Sequence, residues 1–167
     1  MHEKQNYVTL GAMKNVVIAI LLGMCFAAGG VAKGDDSPDL RALVMGAEKG
    51  DIPAQYELGI QYRLGVIVEK NYVVALHWLT KAAEQGHVDA QNRVAICYNN
   101  GEGTLPDRVK AYAWYLVASI NGHKHAQAKQ KIYASILNKR QLYEGQKLAK
   151  TIYEGIRETQ QQVSGSQ

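Results

Sequence analysis

The chain has 167 residues, of which 47% are hydrophobic and 20% are charged, and its formal net charge is +4. This length and composition fit one ordinary folded domain. Three prolines exclude a collagen-like or proline-rich chain, and two cysteines exclude a disulfide-knotted mini-domain. With two tryptophans and one phenylalanine, the core rests on Ala, Leu, Val and Tyr, a mixture that favours helices.

The N-terminus has the layout of a secretory signal peptide. An apolar run over 16–26 follows Lys14 and precedes small residues that extend to Ala32. The run is shorter than the ~20 residues that span a bilayer, so we expect cleavage after Ala32. Residues 1–32 are therefore predicted to be a signal peptide, with Met13 as an alternative translation start, and residues 33–39 a linker. This arrangement predicts a periplasmic or secreted protein.

Cys25 leaves a second interpretation open. Leu22 lies three residues before Cys25, as in the attachment site of a bacterial lipoprotein, but Met24 stands where a small residue is expected. We favour a cysteine in a discarded segment, with an envelope-anchored lipoprotein as the alternative. Cleavage would leave Cys97 alone, in an apolar helical pattern that predicts a buried thiol.

An internal repeat organises the centre of the chain. A shift of 36 residues superimposes identical residues without a gap, among them Tyr62 on Tyr98 and Trp78 on Trp114. A fixed period of this length is typical of a solenoid. We expect full units at about 54–89 and 90–125, a partial unit before them and an atypical capping unit at 126–158, so that the repeat domain covers 40–158.

Each full unit carries two apolar stripes at helical spacing, which predict a first helix, helix A, and a second, helix B. In the first unit these stripes are Ala54, Leu58 and Tyr62, then Ala75, Trp78, Leu79 and Ala82. Asn71 and Asp107 stand where an N-cap is needed before helix B. Glycines at 65, 86, 101 and 122 stand where a helix ends in a left-handed residue.

The tryptophan and small-residue positions are predicted to serve packing. Trp78 and Trp114 fill space between helices, and Gly59 and Ala95 allow a close approach of the partner helix. No chemistry is assigned to these positions.

The third unit is predicted to differ from the other two. Its helix A is expected from Ala126 to Leu137, and Asn138 caps a helix from Lys139 to about Glu158 that covers the exposed side of the second unit. Residues 159–167, rich in Gln and Ser, are predicted to be a disordered tail.

The pattern A-x3-L-G-x2-Y-x2-G followed by K-x4-A-x2-W-x2-K-A-A-x2-G, read here from Ala54 to Gly86, resembles the Sel1-like repeat. This family is a relative of the tetratricopeptide repeat. The second unit departs from the pattern at Val94, Ala95, Val117 and Ser119. The resemblance implies an all-α fold, a short right-handed α/α solenoid of helix pairs with a C-terminal capping helix, used as an adaptor in bacterial envelopes.

The candidate binding surface is the concave face, which the A helices normally form in such repeats. Polar residues off the apolar stripes lie there, and we expect them to bind a segment of a protein partner. These residues are Gln55, Gln61, Arg63, Gln91, Arg93 and Asn99.

Catalytic chemistry is not expected. The sequence contains no nucleophile elbow, zinc-protease motif or phosphate loop. His87, His123 and His125 are read as solvated turn residues rather than metal ligands, and no metal or cofactor is predicted. The family resemblance leaves a peptidoglycan-directed hydrolase or β-lactam-binding enzyme as the alternative.

Charge is concentrated in the C-terminal part of the chain. Residues 124–158 carry eight bases and three acids, whereas residues 33–123 carry nine bases and eleven acids. A basic surface at Lys139, Arg140, Lys147 and Lys150 is a candidate for peripheral contact with anionic lipid or glycan. A solvated helix face is the favoured interpretation, and no nucleic-acid partner is expected.

Overall fold

The computed structural model describes residues 38–165, which form helices and the turns between them and no strand. In chain order the helices are α1 Pro38–Glu48, α2 Ile52–Leu64, α3 Tyr72–Glu84, α4 Val88–Asn100, α5 Arg108–Ile120, α6 Lys124–Ile136 and α7 Lys139–Ser164. The predicted all-α fold is confirmed. The predictions for the signal peptide, Met13, Cys25 and linker residues 33–37 lie outside the described residues.

The helices pair as the repeat predicts. Helix α2 packs on α3 and α4 packs on α5, so that each full unit is a pair of an A and a B helix. Helix α3 also packs on α4, and α1 packs on α2 as the B helix of the partial unit. Because each helix buries its apolar stripe against the next one, the repeats form a continuous stack.

Local signals define where the helices begin and end. The side chains of Asn71 and Asp107 each accept hydrogen bonds from two backbone amides in the first turn of α3 and α5. Gly65 and Gly101 follow α2 and α4 with φ of 72° and 74°, the left-handed conformation that glycine adopts without a Cβ clash. The predicted caps are confirmed.

The predicted packing positions are buried. Trp78 and Trp114 are 5% and 6% exposed. A Cβ at Gly59 would lie 2.7 Å from Cγ of Leu79, so the absence of a side chain at Gly59 allows α2 and α3 to approach closely. The tryptophans and small residues therefore serve the contact between helices.

Helix α5 is the centre of the fold, because α4, α6 and α7 all pack on it. A helix covered on several sides needs apolar residues around most of its circumference. Its buried residues are Ala111, Tyr112, Ala113, Trp114, Tyr115, Val117 and Ala118.

The capping helix docks at positions where the second unit departs from the first. Ala113 and Val117 of α5 form a buried cluster with Ala149 and Ile156 of α7. The equivalent residues of the first unit are His77 and Lys81, which are exposed. The change from polar to apolar residues therefore marks the surface that the terminal helix covers, and the predicted cap is confirmed.

The predicted tail differs from the structure. Helix α7 continues to Ser164, so residues 159–164 are helical rather than disordered. Glutamine has a favourable helix propensity, and the segment 159–164 contains neither glycine nor proline to end the helix. The side chain of Gln160 also lies against Gly86, which gives this part of the helix a tertiary contact.

Two glutamines predicted to line the concave face are buried instead. Gln91 is 0% exposed, its amide nitrogen donates to the carbonyl of Ala83 at 3.2 Å, and its amide oxygen accepts from Asn121 at 2.9 Å. It therefore connects α4 to the ends of α3 and α5. The prediction that Gln91 is available to a ligand is wrong, because the fold already uses its amide.

Gln55 makes the same contacts one repeat earlier. It is 3% exposed, donates to the carbonyl of Ala47 at 3.1 Å and accepts from Gln85 at 2.6 Å. The two sets of bonds, which we call the glutamine braces, are related by the repeat period. A buried amide that is paired at both ends belongs to the fold, so the prediction for Gln55 is also wrong.

We expect Gln91→Ala to lower the free energy of unfolding by about 1–3 kcal/mol, because it removes both hydrogen bonds of a fully buried side chain and leaves a cavity in its place. Gln127 is the matched control, since it stands 36 residues later and is exposed. Gln127→Ala should change stability by about 0.5 kcal/mol or less. Urea unfolding of both variants measures the difference, and equal effects would contradict a role for the brace.

Candidate functional site

The matched histidines cap the A helices. Nδ1 of His87 accepts from the amide of Ala90 at 3.2 Å, and Nδ1 of His123 accepts from Ala126 at 3.1 Å. The ring of His87 also stacks on Tyr56. His87 and His123 are therefore half-buried caps rather than solvated turn residues, whereas His125 is exposed in the first turn of α6. Within residues 38–165 there is no group of three or more His, Cys, Asp or Glu placed to hold a metal.

A chain of polar side chains connects the three A helices, and we call it the polar network. Arg63 lies in the last turn of α2, and Glu102 lies just beyond α4. Nε of Arg63 donates to Oε2 of Glu102 at 2.8 Å. Asn100 donates to Oε1 of Glu102 at 3.0 Å and accepts from Asn99 at 2.7 Å. The hydroxyl of Tyr133 in α6 donates to Oδ1 of Asn99. The network therefore runs from α2 to α6 without interruption.

The left-handed turn at Gly101 starts the segment that returns Glu102 toward α2. The amides of Gly101 and Glu102 both donate to the carbonyl of Cys97, at 2.9 and 3.0 Å. These two bonds close the end of α4 and hold Glu102 beside Arg63. The ion pair is largely shielded, with 23% of the Arg63 side chain and 16% of the Glu102 side chain exposed.

Electrostatics in the network favour the charged form of both groups. Burial raises the pKa of Glu102, but the hydrogen bonds from Arg63 and Asn100, with the charges of Arg63 and Arg93, outweigh it and leave the pKa below its ordinary value. The hydrogen bond to Glu102 is the main reason that the pKa of Arg63 is raised. The pair is therefore ionised at neutral pH.

Arg93 is a basic residue beside the polar network that has no ion-pair partner within residues 38–165. It is half-buried in α4, and within residues 38–165 it forms no ion pair or hydrogen bond. Its charge acts on Glu102 and on Cys97, which places it beside the network. An unpaired guanidinium in such a position is suited to bind a carboxylate.

Gln61 is the second predicted residue with an unused polar atom. Its amide nitrogen donates to Glu57, but its amide oxygen is buried and has no hydrogen-bond partner among residues 38–165. Of the six predicted concave residues, the structure thus uses Gln55 and Gln91 in the braces and Arg63 and Asn99 in the network. Arg93 retains its guanidinium for a ligand, whereas the free amide oxygen of Gln61 is buried and out of a ligand's reach. The sequence pattern gave no signal for Glu102 or Tyr133, because their contacts with Arg63 and Asn99 join different repeats, and none for Asn100, whose role depends on the position of Glu102.

Cys97 is buried in α4 beneath the polar network, and its thiol is unreactive in the folded chain. It is a free cysteine with 1% exposure, as the sequence predicts. Burial is the main cause that raises the pKa of its thiol to about 11. The thiolate form that reacts with electrophiles is therefore disfavoured in the folded chain.

The predicted basic surface lies on α7, where Lys139, Arg140, Lys147 and Lys150 are all exposed. Arg140 pairs with Glu144 at 2.8 Å, and Lys150 pairs with Glu154 at 3.8 Å. Part of the positive charge of this surface is therefore balanced by acidic residues on the same helix. Helices long and apolar enough to cross a membrane do not occur within residues 38–165.

Comparison with known proteins identifies the repeat. A family model described as the Sel1 repeat matches residues 52–87 and 88–123. Among solved structures, the chain is similar to a protective antigen present in uropathogenic Escherichia coli strains that displays an SLR fold, with 29% identity and a TM-score of 0.68. It is also similar to a Sel1 repeat protein from Oxalobacter formigenes, with 32% identity and a TM-score of 0.56.

The chain is shorter than these solved relatives. The match to the protective antigen covers 77% of this chain and 28% of the antigen, and the match to the Oxalobacter protein covers 57% and 40%. The search of curated proteins found no match.

We expect Glu102→Gln to destabilise the fold at pH 7 by about 1 kcal/mol, the scale of a partly solvent-screened ion pair. Folding lowers the pKa of Glu102 from 4.5. The ionised carboxylate therefore stabilises the fold above pH 4.5, and this stabilisation is lost as the pH falls through the folded-state pKa. Chemical unfolding at neutral and at acid pH should therefore show the difference from the parent protein shrinking in acid. Glu69→Gln, at an exposed glutamate, is the control. A difference that is independent of pH would contradict the ion pair.

Proposed function

Because two consecutive Sel1 repeats make this chain a Sel1 repeat protein, we propose that it is a non-catalytic adaptor that binds a segment of a protein partner on the surface of its A helices. Sel1 repeat proteins are generally protein-interaction modules. We propose further that the protein acts in the periplasm or cell envelope, after export through its N-terminal segment.

The observation that carries the proposed binding surface is the position of Arg93 beside the polar network. Its guanidinium has no partner within residues 38–165, so binding a carboxylate there breaks no existing ion pair. Asn99 and Asn100 are exposed at the end of the same helix, and each has a second amide hydrogen that is able to hydrogen-bond a peptide backbone. These groups favour a partner segment that carries an acidic residue or a C-terminal carboxylate.

The extent of the network limits the length of that segment. Neighbouring helices lie about 10 Å apart, so three A helices present roughly 20–30 Å of surface. An extended chain advances about 3.3 Å per residue, which gives a segment of roughly six to nine residues. With one strong charge contact, we expect micromolar affinity.

Site-specific cross-linking in intact cells tests the binding surface. A photoreactive amino acid in place of Gln61 should capture one defined partner, while the same amino acid in place of Gln146, which is exposed on α7, should not. Arg93→Ala should remove the capture, and Arg140→Ala should leave it unchanged. Arg63→Ala is unsuitable because it opens the Glu102 ion pair.

The melting temperature of each cross-linking variant shows that the fold is retained. Equal capture from positions 61 and 146, or capture that survives Arg93→Ala, would overturn the proposed surface. An absence of capture under conditions in which a known periplasmic complex is captured would overturn the adaptor. Turnover of a chromogenic β-lactam by the purified protein would instead support the enzyme alternative.

Export is tested separately by the N-terminus of the processed protein. The signal-peptide layout predicts that protein from the periplasmic fraction begins at Lys33. N-terminal sequencing that finds Met1 or Met13 would contradict cleavage. Labelling with palmitate that depends on Cys25 would establish the lipoprotein alternative.

A further inference from the structure

The end of α7 forms one wall of a groove that the repeats alone do not contain. The helix continues past α5 and crosses the turn after α3, where Gln160 and Ile156 lie against Gly86. Two cavities of about 370 and 290 Å³ lie beside this crossing, and both are lined by Glu84 and Thr159. The two cavities adjoin at these residues, and we call them together the α7 groove.

The two parts of the groove differ in charge. The larger part is polar and contains two acids and two bases; its remaining lining residues are Glu48, Lys49, Gly50, Gln55, Lys81 and Gln85. The smaller part contains Glu84 and no basic residue; its remaining lining residues are Thr151, Ile152, Gly155 and Ile156. The smaller part therefore has one carboxylate above an apolar wall.

The carboxylate of Glu84 has no internal partner. It forms no ion pair or hydrogen bond within residues 38–165. Lys81, whose charge acts on it, places its ammonium over the ring of Trp78, 4.9 Å from the centroid, and not within ion-pair distance. Glu84 is exposed, so its carboxylate is accessible to a ligand; partial burial raises its pKa, an effect that a cation in the groove would oppose.

The apolar wall of the smaller part consists of two isoleucines with open space beside them. Ile152 is half-buried and Ile156 is buried on the side of α7 that lines the groove. Gly155 lies between them, and a Cβ there would meet no atom within 4 Å. The hydroxyls of Thr151 and Thr159 donate to carbonyls of their own helix, at 3.3 and 3.0 Å, and add no charge.

We propose that the α7 groove binds an arginine or lysine side chain of a partner protein. The cationic end pairs with Glu84 and the methylene stem lies against Ile152 and Ile156, which is how long basic side chains combine an apolar body with a charged tip. The polar larger part of the groove accommodates the backbone on either side of the basic residue. None of these groups belongs to the polar network, so this site is independent of the proposed A-helix surface.

The test is an NMR titration of the purified protein with an acetylated, amidated Gly-Arg-Gly peptide. We expect saturable shifts of the amides at 84–85 and 151–159 in the millimolar range, as befits one ion pair and a short apolar contact. The same peptide with citrulline in place of arginine has the shape without the charge and should give no saturable shift.

Two variants test the residues of the site. Glu84→Gln should weaken binding about two- to fivefold, the effect of losing one solvent-exposed ion pair. Glu69→Gln is the control, because Glu69 is an exposed glutamate that lines neither part of the groove. Gly155→Leu should abolish binding, since it fills the open space in the smaller part, and it should not lower the melting temperature because leucine is the better helix former.

The proposal is overturned if no saturable binding is observed, if the citrulline peptide binds as well as the arginine peptide, or if Glu84→Gln binds like the parent protein. Binding that survives Gly155→Leu with an unchanged melting temperature also overturns it. Because Arg93→Ala leaves this groove intact, the titration is expected to be the same in that variant, which separates this site from the proposed adaptor surface.

Discussion

The glutamine braces are the interaction on which the arrangement of the repeats depends. A helix ends with carbonyl groups that lack partners within the helix, and burying them unpaired is costly. Here the carbonyls of Ala47 and Ala83 accept from the backbone amides of Gly50 and Gly86 and, as a second bond, from the glutamine at the start of the following A helix. Because each glutamine also accepts from a side-chain amide at the end of the next B helix, a single residue sets the position of three helices. Apolar packing supplies attraction, and these directional bonds define the register.

The third unit does not continue the glutamine braces. The third unit has Gln127 at the brace position, but the residue is exposed, and α7 packs on α5 rather than continuing the series of pairs. A Cβ at Gly145 would lie 2.6 Å from the Tyr112 ring, so α7 approaches α5 closely. The apolar residues Ala113 and Val117 complete this contact. The terminal helix therefore protects the last repeat, and its extra length creates the α7 groove.

Both proposed sites lie where repeat positions hold different residues. Arg63 and Asn99 are equivalent, yet one pairs with a carboxylate and the other accepts from a tyrosine hydroxyl. Arg93 corresponds to Glu57 one repeat earlier, so the basic charge there occurs once in the two full units. Shared positions are occupied by groups that hold the helices together, which leaves the unshared positions to provide distinct charge and shape. Specificity is accordingly expected from the differences between repeats.

The sequence by itself determined the period, the helix pairs and their caps. These follow from interactions within a few residues, such as the bonds of Asn71 and Asp107 to the next turn, and from spacing that repeats every 36 residues. The tertiary structure decided which polar side chains are accessible. Gln55 and Arg93 both lie off an apolar stripe, but one is enclosed by neighbouring helices and the other is not, because enclosure depends on how helices from different units approach each other. The path of α7 was decided in the same way, by contacts with α5 and Gly86 that are distant in the chain.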